Sequence, residues 1–167
     1  MKNYTFFPVR KILGIVNQGN GILTRHKIIN NQNIKLETNG ENRFLSISTI
    51  TVQDKPIHIF TTHLALGHIS RVKELKHIAR IVNETEGAII LTGDLNTHNE
   101  KELEILLETR LRRVETGGTF PSWNPKERLD YIFYSNDFEL IETKVASEIK
   151  QSDHLPVVAE LRIKNSS

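Results

Sequence analysis

The sequence predicts mixed layers of short, mainly antiparallel strands with two helices packed outside a sheet. Three observations carry that expectation: alternating apolar residues over most of the chain, helical apolar spacing in two stretches, and connections mostly too short for crossovers. With 167 residues, 38% of them hydrophobic, the chain holds material for a substantial core and is expected to form a single domain over residues 1–167.

The elements follow in order. Asn20 to Thr24 reads as a short strand, and Arg43 to Val52 continues with alternating Phe44, Leu45, Ile47, Thr49 and Val52 before a turn at Gln53 to Pro56. Ile57 to Thr62 pairs back as the next strand. Ser70 to Glu84 carries Val72, Leu75, Ile78, Ala79 and Val82 at helical spacing, with Ser70 as the expected N-cap. Ala88 to Leu91 is a buried strand, closed by Thr92 and Gly93. Glu100 to Leu107 is the second helix, with Leu103, Leu106 and Leu107 on one side. Leu129 to Tyr134, Leu140 to Val145 and Pro156 to Ile163 are three further strands, and Lys164 to Ser167 is a frayed tail.

Composition narrows the class. Only 9 Gly and 5 Pro occur, and charge is nearly balanced at 22 Lys and Arg against 20 Asp and Glu, which excludes collagen-like and low-complexity chains. The absence of Cys removes disulfides, thiolate metal sites and cysteine nucleophiles, so any metal must be held by oxygen or imidazole. No apolar run approaches the roughly 18 residues of a membrane span, and the first residues lack a signal-peptide core; a cytoplasmic location is expected. The first 36 residues carry Lys2, Arg10, Lys11, Arg25, Lys27 and Lys35 but no acid before Glu37. That basic front end reads either as a solvated face or as a surface drawing phosphate-bearing partners.

Asp is scarce, and three of its five positions sit beside an expected strand end with His, Asn or Gly. Asp94 and Asn96 follow the buried strand, two residues apart, so an anionic acceptor and an amide leave the sheet edge together. That pair suits a hydrated cation beside a phosphate oxygen; it equally suits an Asx-turn capping the next helix. Asp153 and His154 are adjacent before the last strand, offering a cation ligand and a proton-transfer group. Asp130 lies in an otherwise apolar strand, where a carboxylate needs a partner: backbone donors, or an imidazole such as that of His154 that it would orient. His63 at a strand end is a candidate phosphate donor or a structural residue. His26, His58, His68, His77 and His98 have no comparable company and receive no role.

The order of the segments adds to these readings. Asn20-Gly21-Ile22-Leu23-Thr24-Arg25, Thr62-His63-Leu64, Gly93-Asp94-Leu95-Asn96, Thr119-Phe120-Pro121-Ser122, Leu129-Asp130-Tyr131-Ile132-Phe133 and Ser152-Asp153-His154-Leu155-Pro156 resemble the successive signatures of the endonuclease/exonuclease/phosphatase superfamily. The resemblance runs from about Asn20 to Leu161. It implies an α+β fold like that of pancreatic deoxyribonuclease (DNase I-like), a four-layer sandwich of two mainly antiparallel sheets with outer helices. At one rim, Mg²⁺ or Mn²⁺ would meet a phosphate ester. Carried over by motif, Asp94 would polarise the attacking water and share the metal with Asp153, and Asn96 would hold a phosphate oxygen. His154 would be the general acid/base paired to Asp130, and His63 would stabilise developing charge. Asn20 heads its signature and is expected at the substrate. Trp123, beside Lys126 and Arg128, is a candidate contact for DNA or a residue that merely packs its loop.

The family also has a strand bearing an Asn and, one strand later, a Glu that is the principal metal ligand, both ahead of the Asn-Gly-Ile-Leu signature. The 19 residues before Asn20 contain no acid, and Asn3 and Asn17 do not sit in the expected strand contexts. Glu37 and Glu41 lie in a polar turn region and offer no substitute. An N-terminally incomplete domain is expected, leaving one sheet's inner edge and face open. The leading expectation is a metal-dependent phosphodiesterase, with a phospholipid headgroup ester, DNA or a phosphorylated sugar as substrate and an exonuclease-III-like repair endonuclease as the neighbouring branch. The alternative is an inactive fragment or pseudoenzyme that binds a phosphate-bearing partner. Oligomeric state is left open.

Overall fold

A computed structural model describes residues 3–12, 15–40 and 42–164, without the side chains of 10–17. The chain opens with a long hairpin, β1 (Asn3–Ile12) and β2 (Ile15–Thr24). Then come β3 (Lys27–Lys35), β4 (Phe44–Val52), β5 (Lys55–His63), α1 (His68–Glu84), β6 (Ala88–Asp94), α2 (Glu100–Leu107) and β7 (Leu111–Arg113). The last strands are β8 (Asp130–Ser135), β9 (Phe138–Val145) and β10 (Val157–Ile163). Strands β3 to β8 form one six-stranded sheet in the order β3-β4-β5-β6-β8-β7, while β1-β2 and β9-β10 are two-stranded sheets. Every pairing is antiparallel except β5 with β6, which α1 connects. The expected antiparallel dominance holds, and its one exception falls where a helical connection is long enough for a crossover.

The sheet is covered on both faces. Leu75, Ile78 and Val82 of α1 and Leu103 and Leu106 of α2 pack with Leu45, Phe60, Ile89, Leu91 and Phe133 into a buried core. On the other face Ile50, Ile57, Tyr134 and Phe138 meet Leu140, Ala159, Leu161 and Ile163 of β9-β10. Burial of both faces explains why β4 reads as an almost continuously buried segment.

Several expectations need correction. Ser70 is not the N-cap of α1: the helix starts at His68, and Gly67 holds the cap position without a side-chain bond. Ser70 Oγ instead donates to the Asn39 carbonyl at 2.6 Å, tying the helix to the β3-β4 connection. Strand β6 runs on to Asp94, so Gly93 and Asp94 belong to the sheet rather than follow it. The strand expected from Asn20 starts at Ile15, and β1, β3 and β7 add to the strands that the pattern predicts. In β3, Lys27–Lys35, only Ile28 and Ile34 are partly buried, which left no alternation to read. Asn3 opens β1 and donates to the His26 carbonyl at 2.8 Å; the side chain of Asn17 lies outside the described residues.

Candidate active site

Register builds the site. His63, Asp94 and Asp130 are paired across three neighbouring strands, His63 with Asp94 and Asp94 with Asp130, so the three lie on one rung at a sheet end. Directly paired residues share a face. Two motifs some sixty residues and more apart in sequence, with a third between them, therefore converge without any loop having to bend.

The backbone beyond the rung is pinned on both sides. Leu64 N–H donates to the Asp94 carbonyl at 3.0 Å, and Leu95 N–H to the Leu129 carbonyl at 2.8 Å. Gly93 is required here: at φ 151° its hypothetical Cβ would stand 1.9 Å from the Thr62 carbonyl oxygen. Asn96 adopts φ 51°, a left-handed conformation that Asn tolerates. Its N–H donates to Asp94 Oδ1 at 2.9 Å and its Nδ2 to the Leu64 carbonyl at 2.8 Å. The Asx-turn is therefore present, and Asp94 and Asn96 both line the cleft beside it.

His154 arrives from the β9-β10 connection. Ser122 N–H donates to the Asp153 carbonyl at 2.7 Å and Leu155 N–H to the Thr119 carbonyl at 2.8 Å, clamping 152–155 onto the Thr119–Ser122 segment. The Phe120 ring lies 4.8 Å from the His154 ring. His154 Nδ1 then stands 2.8 Å from Asp130 Oδ2, which also accepts from Thr119 Oγ1 at 2.6 Å. Because a carboxylate accepts, Nδ1 carries a proton and the other ring nitrogen is left for chemistry.

The two imidazoles are tuned in opposite directions. Burial pushes His63 below its ordinary value, Arg43 and His154 add to that, and the Asp94 charge opposes it. Burial also acts to lower His154, but the Asp130 hydrogen bond and charge, with Asp94 and Asp153, carry it above the ordinary value. Asp94 is raised by burial and by the neighbouring Asp130, against the Asn96 N–H and His63. His63 Nε2 lies 3.4 Å from Asp94 Oδ2.

These groups border a cleft of about 840 Å³ lined by Arg43, His63, Asp94, Asn96, Phe120 and His154 among others. Asp94, Asp130 and His154 each offer a donor atom within 4.8 Å of the others, a possible metal site. Oxygen and imidazole donors with no thiolate fit a hard divalent cation. Asp153 lines the cleft but is exposed and outside that group of three; its Oδ1 accepts from Ser152 Oγ at 3.2 Å. Asn20 sits to one side, donating to Ser46 Oγ at 3.2 Å and the Thr61 carbonyl at 3.3 Å, in a small recess that Arg43 and His63 share. Trp123 is 71% exposed and does not line the cleft. Arg25, Lys27 and Lys35 of the basic front end are exposed and also away from it.

Reasoning from sequence missed Thr119 as the second partner of Asp130, and it missed the lining that α1, α2 and the segments leading into them give the cleft, with Leu66, His68, Arg71, Asn99 and Glu102. Arg71 and Glu102 are buried and joined through two bonds, Nε to Oε2 at 2.5 Å and Nη2 to Oε1 at 2.9 Å. The available signal was a charged pair of residues interrupting the apolar faces of both helices.

Residues 4–154 match the model of the Endonuclease/Exonuclease/phosphatase family, and the chain belongs to that family. Its members are phosphoesterase-type hydrolases that typically use divalent metals. It is 28% identical over 159 residues to the uncharacterized protein YbhP of Escherichia coli (strain K12), covering 87% of this chain. The chain spans 63% of the length of that relative. The fold is similar to that of an endonuclease/exonuclease/phosphatase from Bacteroides vulgatus, at TM-score 0.83 and 16% identity over 98% of this chain and 77% of that one. It is also similar to a Bacteroides thetaiotaomicron mannosyl-6-phosphatase, at TM-score 0.80 and 19% identity over 96% and 77% of the two chains. The α+β, DNase I-like fold is therefore established. Among the described residues no helix is long and apolar enough to cross a membrane.

Proposed function

We propose that this chain carries the hydrolytic site of a divalent-metal-dependent phosphodiesterase. The observation that supports the reading best is the rung of His63, Asp94 and Asp130, with His154 held on Asp130 at its end. Two carboxylates paired directly across an antiparallel ladder repel one another, an arrangement that makes sense where cationic charge is to be received.

Asp94 and Asp130, with Asp153 at the rim, would hold Mg²⁺ or Mn²⁺. A bound divalent cation supplies neutralisation of the phosphate charge, the chief obstacle to attack on a phosphodiester. Asp94 orients the attacking water and accepts its proton. The Asn96 amide, fixed through Leu64, presents its remaining N–H to a phosphate oxygen, and Asn20 and Arg43 border the side of the site next to His63. His154, kept protonated to higher pH by Asp130, delivers a proton to the departing alkoxide. His63, kept neutral by burial, donates a hydrogen bond to developing charge without competing for the cation.

The test is hydrolysis of bis(4-nitrophenyl) phosphate, abasic-site duplex DNA and glycerophosphocholine by the chain with Mg²⁺, with Mn²⁺ and with chelator. Turnover that chelator abolishes, and that His154→Ala lowers at least a hundredfold with the fold intact by circular dichroism, is the expected result. A folded chain that hydrolyses none of the three, yet binds inorganic phosphate, establishes the binding-only reading instead.

A further inference from the structure

The cleft that His63, Asp94 and His154 line is also lined by a second carboxylate–imidazole pair, contributed by α1 and α2. His68 Nδ1 stands 2.6 Å from Glu102 Oε1 and donates to it, which leaves Nε2 as the ring's other polar atom. The Glu102 side chain is 3% exposed and that of His68 is 65% exposed. Arg71, through its two bonds to Glu102, fixes the carboxylate in place. A buried ion pair thus mounts an exposed ring over the same cleft that His63, Asp94 and His154 line.

The wall's chemistry restricts what it can touch. Arg71 also donates through Nη1 to the Ala65 and Leu66 carbonyls, so the guanidinium braces the loop before α1, and its charge is matched by that of Glu102. Asn99 uses Oδ1 to cap α2, accepting from Lys101 N–H at 3.1 Å, and its Nδ2 makes no hydrogen bond among the described residues. Glu127 adds negative charge at the rim. An imidazole nitrogen and an amide N–H, with the Glu127 carboxylate at the rim, match hydroxyl groups, each of which both donates and accepts. The same wall disfavours further phosphates, and a nucleic-acid strand brings one per nucleotide.

We propose that His68, mounted on Glu102 and Arg71, acts with Asn99 as the recognition site for the alcohol portion of the substrate. The substrate class is then a phosphate ester of a neutral polyol or sugar. The inference rests on the phosphoesterase reading above, and the experiment separates the two.

Wild type, His68→Leu and His68→Gln are compared on glycerophosphoglycerol and on bis(4-nitrophenyl) phosphate, which has no hydroxyl. The ratio of the two kcat/KM values falls about tenfold in His68→Leu, the effect of one lost hydrogen bond, with the loss in KM for the glycerol ester. His68→Gln, whose amide reaches the place of Nε2, restores most of it. A ratio that moves less than twofold, or DNA hydrolysed faster than the glycerol ester, overturns the proposal. Apart from turnover, the ¹⁵N imidazole signals of His68 are followed while glycerol 3-phosphate or methyl phosphate is added. Shifts with the glycerol ester alone are expected; equal responses or none overturn the proposal. If no ester is hydrolysed while His68 responds selectively, the phosphoesterase reading fails and the recognition site stands.

Discussion

Replacing Glu102 by Gln tests the mount of the cleft wall through acid stability. Glu102 is 2% exposed, and although burial acts to raise its carboxyl, the hydrogen bonds from Arg71, His68 and Thr97 bring it down to about 2 from an ordinary 4.5. A carboxyl depressed in the folded state stabilises above its unfolded value, and that contribution is lost as pH falls through the folded one. The depression corresponds to about 3 kcal/mol at pH 7, about 1 kcal/mol at pH 3 and nearly nothing at pH 2. The Gln variant keeps shape but leaves Arg71 buried without its counter-charge, so its cost at pH 7 should reach about 3 to 5 kcal/mol. Urea unfolding of both proteins at pH 7 and pH 3, followed by circular dichroism, measures the difference. The gap should shrink by about 2 kcal/mol on going to pH 3. A gap of equal size at both pH values refutes the reasoning, because it would make the loss one of packing rather than charge.

Other substitutions probe the rung. Asp130→Asn removes the charge that raises His154, so the His154 ring should titrate at lower pH by NMR and turnover should fall by about 10² to 10⁴. An unmoved His154 titration would remove Asp130 from its orienting role. Gly93→Ala drives a Cβ into the Thr62 carbonyl, since 1.9 Å is far inside contact distance. It should cost more than about 3 kcal/mol in urea unfolding and disturb the β5-β6 pairing in amide hydrogen exchange. Exchange in β5 and β6 identical to wild type would show the close approach to be unimportant.

How far the site could be read from sequence follows from the range of the interactions that make it. Asp94, Asn96, Asp130 and His154 sit in segments whose local chemistry is anomalous: a carboxylate in an apolar strand, an Asp-His pair in a turn. Such anomalies are visible one residue at a time. The helix side of the cleft is different. Arg71 and Glu102 interrupt the apolar faces of their helices, but only the packing of α1 against α2 turns these two buried charges into a mount for the His68 ring. The same holds for the fold. α2 and the buried strands follow from periodicity, whereas β3 is nearly all exposed and polar and is held by pairing with β4. The misplaced N-cap has the same cause, since Ser70 prefers a tertiary partner, the Asn39 carbonyl, to its own helix.

The rung itself carries a cost that can be measured. Asp94 faces Asp130 across the ladder, and burial and that like charge both raise its carboxyl. His63 offers little compensation at neutral pH, because its own burial keeps it uncharged. An acid whose folded-state value is raised loses stability above that value and recovers it as pH falls through it. Asp94→Asn retains an acceptor for the Asn96 N–H while removing the repulsion. In chelator at pH 7.5 the variant should therefore be more stable than wild type by about 1 kcal/mol, a rise in Tm of about 2 to 4 °C, while hydrolysis falls at least a hundredfold. The advantage should disappear at acid pH, where Asp94 is protonated in both its folded and unfolded states. If Asp94→Asn is instead less stable than wild type in chelator, the carboxylate is a structural member of the sheet edge, and the trade of stability for a charged site does not operate here.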